Sequence, residues 1–243
     1  MVLLLLAAKA LAVEVLEEVV EQRHVLAPGA TLSITNTDGS IHIYAADVSE
    51  ISIEAIKKAY TPERLRGIIV EVKATRDGVT IDTMFPPRKN AWSDRSGTVE
   101  YILIVPQMTK ITKLNLVNGE VLIEGLRGGS ARAHLVNGWL GGHNCFGDLD
   151  LTVDNGRLDV AYDWWEERKF SVTASSTNGN LRAILPSDAS VTMSARTEAG
   201  RIADAFATQK ERVRQLHTSM GTEVPASLKL NATNGNISIE KAY

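Results

Sequence analysis

The dipeptide Asn-Gly recurs along the chain, and each copy lies between short runs in which apolar and polar residues alternate. The clearest copy is LNLVNGEVLIEG, residues 114–125. Alternation with a period of two over four to six residues indicates strands with one buried face. Asn and Gly both tolerate the left-handed conformation that a sharp corner requires. The copies are Asn118-Gly119, Asn137-Gly138, Asn155-Gly156, Asn178-Gly179 and Asn234-Gly235.

Two further dipeptides extend the repeat. Asp38-Gly39 is a divergent first copy, and Ala199-Gly200 lies where another copy is expected. Most copies follow one another at intervals of about 20 residues, which is within the range of solenoid repeats. The step to Asn234 is longer, so the regularity of the repeat decreases towards the end of the chain.

Two architectures can produce this pattern. A meander places a type I′ hairpin at each Asn-Gly pair, whereas a β-solenoid makes each unit one coil of short strands separated by corners. Additional glycines cut the hairpin arms to a few residues, and such short arms make poor hairpins. The pattern therefore predicts an all-β solenoid, with a twisted antiparallel β-sandwich as the alternative. The interrupting glycines are Gly125, Gly128, Gly129, Gly141, Gly142 and Gly147.

A solenoid assigns a structural role to the recurring asparagines. Their side-chain amides can hydrogen-bond from coil to coil, as in the ladders of other stacked-strand structures. Calcium binding is the alternative, but calcium takes several carboxylate or carbonyl oxygens at one place. Only Asp38 and Asp154 accompany these corners. We therefore expect a ladder rather than a calcium site.

The earlier part of the chain has longer strands. IIVEVKATRDGVTIDTMF predicts a hairpin at Asp77-Gly78. Residues 28–108 therefore form a more irregular β-section, and Pro106 marks the passage into the Asn-Gly repeats of residues 109–243. No linker-like tract separates the two sections, so we expect a single all-β domain over residues 28–243.

The first twelve residues, MVLLLLAAKALA, are an apolar run with small residues at Ala10 and Ala12. This run predicts the end of a secretory signal peptide cleaved after Ala12. Lys9 interrupts the run, and the alternative is an amphipathic helix that continues through VEVLEEVVEQ. The run is shorter than the roughly 20 residues of a membrane-spanning helix. A signal implies a periplasmic, surface-associated or secreted protein, and without one the protein would be cytoplasmic.

Two segments interrupt the repeat. YDWWEERKF, residues 162–170, contains adjacent tryptophans, so at least one ring must face outward or cover an edge. Outward aromatic rings can stack on a sugar or anchor a protein partner. We therefore name Tyr162, Trp164 and Trp165 as binding candidates, and the alternative is that one Trp fills a gap in the core.

The second interruption is RIADAFATQKERVRQLHTSMGTEVP, residues 201–225. Its apolar residues roughly fit one face of a helix. We expect either a short helix or an extended arm that packs on the end of the stack. The residues concerned are Ile202, Phe206, Val213 and Leu216.

Neither a catalytic centre nor a metal site is predicted. Asp148, Asp150, Asp154 and Asp159 resemble the paired carboxylates of a glycosidase, but the first two share one outward face as ordinary solvated residues. His134, His143 and Cys145 lack the paired spacing of zinc ligands. The single cysteine allows no internal disulfide and follows no nucleophile motif. We therefore expect no catalytic residue, no metal and no cofactor.

The net charge of −3 gives no basic face for nucleic acid. The order of segments is more informative. VLAPGATLSITNTDGSIHIYAAD is followed by VEYILIVP, which ends at Val105-Pro106, and then by units of the form L-x-L-x-x-N-G-x-V-x-I-x-G-L. Over residues 25–243 this order resembles the bacterial putative-adhesin family of repetitive β proteins. The resemblance implies a right-handed, β-helix-like fold and an extracytoplasmic location, and it transfers no catalytic residue.

Together these features predict a non-enzymatic, exported β-repeat protein that acts as an adhesin or cell-envelope interaction module. Its expected partner is a protein or glycan at the cell surface or envelope. The alternatives are a carbohydrate-active enzyme on a β-helix scaffold and an envelope-associated regulatory accessory protein. Several carboxylates in a concave groove would favour the enzyme, and an exposed aromatic patch around Trp164 would favour binding.

Overall fold

The computed structural model describes residues 14–87, 97–207, 213–221 and 226–242. Over these residues the chain forms sixteen β-strands and one short helix, α1 (Pro62–Gly67), so the predicted all-β class is confirmed. The strands are β1 (Leu16–Val25), β2 (Thr31–Ala46), β3 (Glu50–Ala59), β4 (Ile69–Thr75), β5 (Gly78–Met84), β6 (Thr98–Pro106), β7 (Lys110–Glu124), β8 (Arg127–His143), β9 (Phe146–Ala161), β10 (Phe170–Asn178), β11 (Leu181–Leu185), β12 (Val191–Thr197), β13 (Ile202–Asp204), β14 (Gln215–Met220), β15 (Ala226–Asn234) and β16 (Ile237–Lys241).

The first three Asn-Gly pairs lie within continuous strands rather than at hairpin turns. β7 runs through Asn118-Gly119 and pairs in parallel with β8, so that Asn118 lies opposite Asn137. β8 pairs in the same way with β9, with Asn137 opposite Asn155. A hairpin would join antiparallel strands, so none forms at these corners.

We call each strand–corner–strand segment a rung. In the described part of the chain, seven rungs stack in parallel in the order β2, β7, β8, β9, β10–β11, β15–β16 and β12–β13. The last rung in sequence, β15–β16, therefore lies between the two rungs that precede it. Ala226 of β15 pairs with both Phe170 of β10 and Val191 of β12. The long step from Ala199 to Asn234 arises because the chain passes through β13 and β14 before it returns as β15.

Glycine is required at the corners because the backbones of successive rungs approach closely there. Gly138 has a φ of 134°, and a Cβ at this position would lie 1.8 Å from the carbonyl oxygen of Gly119. The same contact recurs up the stack, for example between Gly156 and the carbonyl oxygen of Gly138. A Cβ on Gly200 would lie 1.9 Å from the carbonyl oxygen of Gly235, so Ala199-Gly200 also occupies a corner.

Apolar residues on both sides of a corner point into one shared core. In the β7 rung, Leu114 and Leu116 precede the corner and Val121 and Ile123 follow it, and none is more than 1% exposed. Full burial of each such side chain stabilises the fold by about 1.5–3 kcal/mol. The alternation seen in the sequence thus separates a core face from a solvent face.

The section before Pro106 extends the stack with mixed pairing. β6 pairs in parallel with the second half of β2. β3 then pairs antiparallel with β6, and β1 pairs antiparallel with β3. β5 pairs in parallel with the first half of β2, and on its other side it forms an antiparallel hairpin with β4. The hairpin predicted near Asp77-Gly78 is therefore present, with Arg76 and Asp77 in its turn.

The sequence predicts a signal peptide or an amphipathic helix for the N-terminal segment. The predicted signal peptide, residues 1–12, lies outside the described residues. The amphipathic-helix alternative, which continued through Gln22, is wrong for residues 16–22, because they belong to strand β1. Among the residues that the structure describes, no helix has the length and apolar character needed to cross a membrane.

The segment after Gly200 is extended where it is described. Ile202–Asp204 is strand β13, and Gln215–Met220 is strand β14, which pairs antiparallel with β12 at the end of the sheet. The expected helix is therefore wrong for these residues, because both stretches form strand pairs. Residues 208–212 and 222–225 lie outside the described part of the chain.

The corner contact predicts a large difference between two glycine substitutions. Gly138→Ala places a methyl group against a backbone oxygen, so the free energy of unfolding should fall by about 3 kcal/mol or more. Gly128→Ala is the matched control, because Gly128 also has a positive φ of 75° but nothing lies within 4 Å of the added Cβ. It should cost about 1 kcal/mol. Equal losses in urea denaturation would show that the close approach at the corner is unimportant.

Candidate functional site

The segment between β9 and β10, residues 162–169, is the aromatic bulge. Tyr162 enters the core, where it is 1% exposed and its hydroxyl donates to the carbonyl oxygen of Cys145 at 2.9 Å. Its ring centroid lies 5.3 Å from that of Phe146. Burial raises the pKa of the Tyr162 hydroxyl well above its usual value. Tyr162 is thus a core residue, and a ligand at the surface cannot reach it.

Trp165 anchors the aromatic bulge. Its half-buried ring lies 5.4 Å from Tyr162, 5.5 Å from Phe170 and 6.3 Å from Phe146, measured between centroids. Aromatic pairs at these separations stabilise the fold by more than the burial of their apolar surface alone provides. Trp165 therefore fills the space under the bulge, as the core alternative expected.

Trp164 faces solvent. It is 45% exposed, and its ring centroid lies 6.2 Å from that of Phe146. The ring is therefore supported on one side by a buried aromatic residue while a large part of its surface remains accessible. Of the three candidate binding residues, this is the one whose ring is largely available to a partner.

Hydrogen bonds fix the start of the aromatic bulge. The backbone N–H of Asp163 donates to Oδ1 of Asn144 at 2.9 Å, and Nδ2 of Asn144 donates to Oδ2 of Asp163 at 3.1 Å. Nε2 of His143 lies 2.9 Å from the same carboxylate oxygen. The Asn144 hydrogen bond, together with the nearby His143, holds the pKa of Asp163 below its usual value of 3.8. This contribution to stability is therefore present at neutral pH and is lost as the pH falls through the lowered pKa.

An ion pair fixes the other side of the aromatic bulge. Oε1 of Glu166 lies 2.7 Å from Nη2 of Arg127, which belongs to the β8 rung. Glu166 also lies 3.7 Å from Arg168. Trp164 thus lies between two loop residues, Asp163 and Glu166, that are tied to β8 or to the connection that follows it.

The corner asparagines form a continuous row of hydrogen bonds. Nδ2 of Asn118 donates to Oδ1 of Asp38 at 2.8 Å. Asp38 is the one carboxylate in this row, which is fewer than a calcium site uses. Each later asparagine donates from Nδ2 to Oδ1 of the asparagine one rung earlier in the stack. The donor–acceptor distances are 2.9 Å for Asn137, 3.1 Å for Asn155, 3.0 Å for Asn178 and 3.0 Å for Asn234.

The four aspartates do not converge on one point. Asp148, Asp150 and Asp154 lie before the corner of the β9 rung, whereas Asp159 follows it. Each has its own partner: Asp148 accepts from the Ser171 hydroxyl at 2.8 Å, Asp150 lies 3.3 Å from Arg132, Asp154 lies 3.0 Å from His134, and Asp159 accepts from the Trp139 indole at 2.8 Å.

Cys145 is buried and is a structural residue. Its thiol donates to the carbonyl oxygen of Ile123 at 3.3 Å, and burial raises its pKa to about 12. His143 points instead towards Asp163 and Glu124. Over the described ranges of the chain, no group of three or more His, Cys, Asp or Glu side chains could hold a metal ion.

The structure also contains an aromatic and polar cluster that sequence reasoning missed. The indole N–H of Trp139 donates to Oδ2 of Asp159 at 2.8 Å, and Cζ of Arg157 lies 5.8 Å from the centroid of the Trp139 ring. A sequence signal for this cluster exists. Trp139 directly follows a corner, and Gly141, two positions later, leaves room for its ring.

The fold is shared with a solved structure. No protein-family model matches the sequence, and no curated protein matches it either. The structure is similar to the crystal structure of a putative cell adhesion protein from Clostridium sporogenes, with a TM-score of 0.55 and 14% identity over 92% of this chain and 100% of that chain. At this identity the similarity shows the fold alone, and at that level it agrees with the resemblance to the putative-adhesin family.

Two other crystal structures are more distant. A putative adhesin from Bacteroides fragilis has a TM-score of 0.28 and 6% identity over 92% of this chain and 97% of that chain. One from Parabacteroides distasonis has a TM-score of 0.28 and 10% identity over 91% of this chain and 97% of that chain. These scores are too low to support a detailed comparison.

The row of asparagines can be tested within one strand. Asn118→Ala removes two hydrogen bonds, so the free energy of unfolding should fall by about 1–2 kcal/mol in urea denaturation. Asn115→Ala is the matched control, because Asn115 is similarly half-buried but its side chain makes no hydrogen bond to the described residues. It should change stability by less than about 0.5 kcal/mol. Similar losses in the two variants would remove the structural role of the row.

Cys145 should report unfolding through its reactivity. At pH 8 the raised pKa lowers the thiolate fraction roughly a thousandfold relative to an exposed cysteine, and burial also blocks access. We therefore expect negligible reaction with Ellman's reagent in the native protein and rapid reaction in denaturing urea. Rapid labelling without denaturant would contradict the buried position.

Proposed function

We propose that this protein is a non-enzymatic, exported adhesin or cell-envelope interaction module that binds a protein or glycan partner through the aromatic bulge. The observation that carries the proposal is the exposed Trp164 on a loop tied at both ends. In this proposal the rungs form a right-handed β-solenoid, and residues 28–243 act as one domain.

Rigidity is the physical reason why the aromatic bulge suits binding. Association costs less when the contact residue is already ordered in the free protein. Asp163 is tied to Asn144, Glu166 is paired with Arg127, and Trp165 is packed in the core. Tryptophan is also one of the residue types enriched among those that dominate binding energy at interfaces. The position of Trp164 therefore favours recognition over a structural role for this ring.

The surroundings of Trp164 provide a polar rim. Asp163 and Glu167 are exposed next to it, and Arg168 is half-exposed. A central aromatic residue with charged neighbours is the usual composition of a binding surface. The separate partners of the four aspartates, in contrast, do not provide the convergent carboxylate pair that a glycosidase uses. Binding is therefore the better supported function.

Loss of the exposed ring should weaken binding without affecting the fold. We expect Trp164→Ala to reduce binding to whole bacterial cells or to a glycan array at least tenfold, because it removes a central contact. Tyr60→Ala is the matched control, since Tyr60 is a 53% exposed aromatic residue outside the aromatic bulge. Its binding should equal that of the unmodified protein, and thermal unfolding should confirm that both variants are folded.

A second variant tests the role of loop rigidity. Asn144 has a φ of 49°, so Asn144→Gly keeps the left-handed backbone and removes the side-chain hydrogen bonds to Asp163. Its binding should fall between those of Trp164→Ala and the unmodified protein. If Trp164→Ala binds as well as the unmodified protein, the aromatic bulge is not the contact surface.

A further inference from the structure

We propose that the outer face of the strand halves that follow the Asn-Gly corners carries a second binding site, centred on Trp139, for a neutral oligosaccharide. This site is separate from the aromatic bulge. Trp139 lies just after a corner, whereas the aromatic bulge follows the far end of β9. The inference therefore does not depend on Trp164.

The Trp139 ring occupies a space that glycine creates. Gly141 lies two residues further along the same outward face of β8, and a Cβ there would lie 2.6 Å from Cζ2 and 2.7 Å from Cη2 of the indole. Any other residue at position 141 would displace the ring. The indole thus rests against the strand and is half-buried, which leaves part of it accessible.

A buried carboxylate holds the ring and its neighbours in place. The side chain of Asp159 is only 7% exposed. Its Oδ2 accepts from the indole N–H of Trp139 at 2.8 Å and lies 2.9 Å from Nε of Arg157 and 3.5 Å from Nη2 of Arg182. One carboxylate oxygen therefore orders an aromatic ring and two guanidinium groups, so the cluster is preorganised.

Two buried polar atoms in this cluster have no partner in the described structure. They are Oδ1 of Asp159 and Nε of Arg182. Buried polar groups are almost always hydrogen-bonded, and an exception calls for a specific explanation. Both atoms are out of contact with solvent, so a ligand hydroxyl or an ordered water reaches them only when the side chains above them shift. Their missing hydrogen bonds favour such a shift when a polar ligand supplies a donor and an acceptor.

The space around Trp139 is large enough for several sugar rings. One open depression of ≈ 540 Å³ is bounded by Glu120, Trp139 and Arg157. A second, of ≈ 450 Å³, continues past Glu120 to Ser40 and His42. These residues lie on four successive strands, which span about 15 Å at the usual strand spacing. A linear chain lying along the stack fits this length.

The charges decide the class of ligand. Glu120 and Asp159 are accompanied by Arg157 and Arg182. Glu240 also lies 3.8 Å from Arg182, and Glu100, which lines the second depression, is paired with Lys58. Carboxylates and cations are thus mixed across the site, so no single sign of charge selects a cation or an anion. Hydroxyl groups donate to carboxylates and accept from guanidinium groups. The apolar face of a sugar ring can also contact the indole. A neutral polyhydroxylated ligand matches both the ring and the mixed charges, whereas an ionic ligand matches only half of the polar groups.

The test uses the complete protein, a glycan array, and titration with neutral hexasaccharides of glucose and of N-acetylglucosamine. Binding is followed by tryptophan fluorescence and by the indole N–H resonance of Trp139 in NMR spectra. We expect at least one neutral oligosaccharide to bind and to shift that resonance. We expect Trp139→Ala to weaken binding at least tenfold, and Arg157→Gln to weaken it less without affecting the fold.

The matched control is Tyr60→Ala, which should bind the oligosaccharide as the unmodified protein does, because Tyr60 is a 53% exposed aromatic residue outside both sites. If Trp139→Ala fails to fold, Arg157→Gln carries the test, because Arg157 is 56% exposed and lies outside the core. The proposal is overturned if no neutral oligosaccharide binds, if only charged ones bind, or if binding survives these substitutions. If Trp164→Ala loses oligosaccharide binding while Trp139→Ala keeps it, the sugar binds at the aromatic bulge instead.

Discussion

The close approach of backbones at the corners is the constraint on which the rest of the structure depends. From Gly119 onward each corner glycine lies against the carbonyl oxygen of the previous rung in the stack, and even one methyl group would not fit. This contact aligns the rungs residue by residue around the corner, and the register shifts recorded between rungs lie farther away, near the start of the strands. Asparagine then meets asparagine, and apolar residues meet apolar residues. A slip of one residue would turn the apolar side chains outward, so the corner and the core enforce the same register.

This register also explains where departures from the repeat can occur. A residue in the middle of a rung touches its equivalents above and below, so an insertion there would disrupt both neighbours. The aromatic bulge avoids this cost because it lies between the end of β9 and the start of β10. Its contacts with Phe146 and Asn144 then use residues at the equivalent connection one rung earlier. Trp139 departs in another way, since it extends sideways over Gly141 without lengthening the strand.

The position of the last rung ties the end of the chain to its middle. β15 pairs in parallel with β10 on one side and with β12 on the other, so the rung farthest along the sequence is enclosed by two earlier ones. Such contacts join residues that are distant in sequence, which makes them slow to form. Once formed, they enclose the final strands instead of leaving them exposed at the end of the stack.

Much of the fold could be predicted from the sequence because its signals are local. Leu114, Leu116, Val121 and Ile123 alternate with polar residues, and the ability of glycine to adopt a positive φ is a property of that residue alone. The expectation that the corner asparagines also adopt a left-handed conformation is wrong, because Asn144, which is not at a corner, is the one described non-glycine residue with a positive φ. The order of the final rungs could not be predicted. Equivalent rungs have similar patterns of apolar and polar residues, so the sequence does not determine which rung pairs with which. The site was predictable only in part. The adjacent tryptophans indicated that one must face outward, but only packing against Phe146 and Phe170 decides that it is Trp164. Tyr162 is buried for the same reason, and Trp139 meets Asp159 only because parallel pairing places their strands side by side.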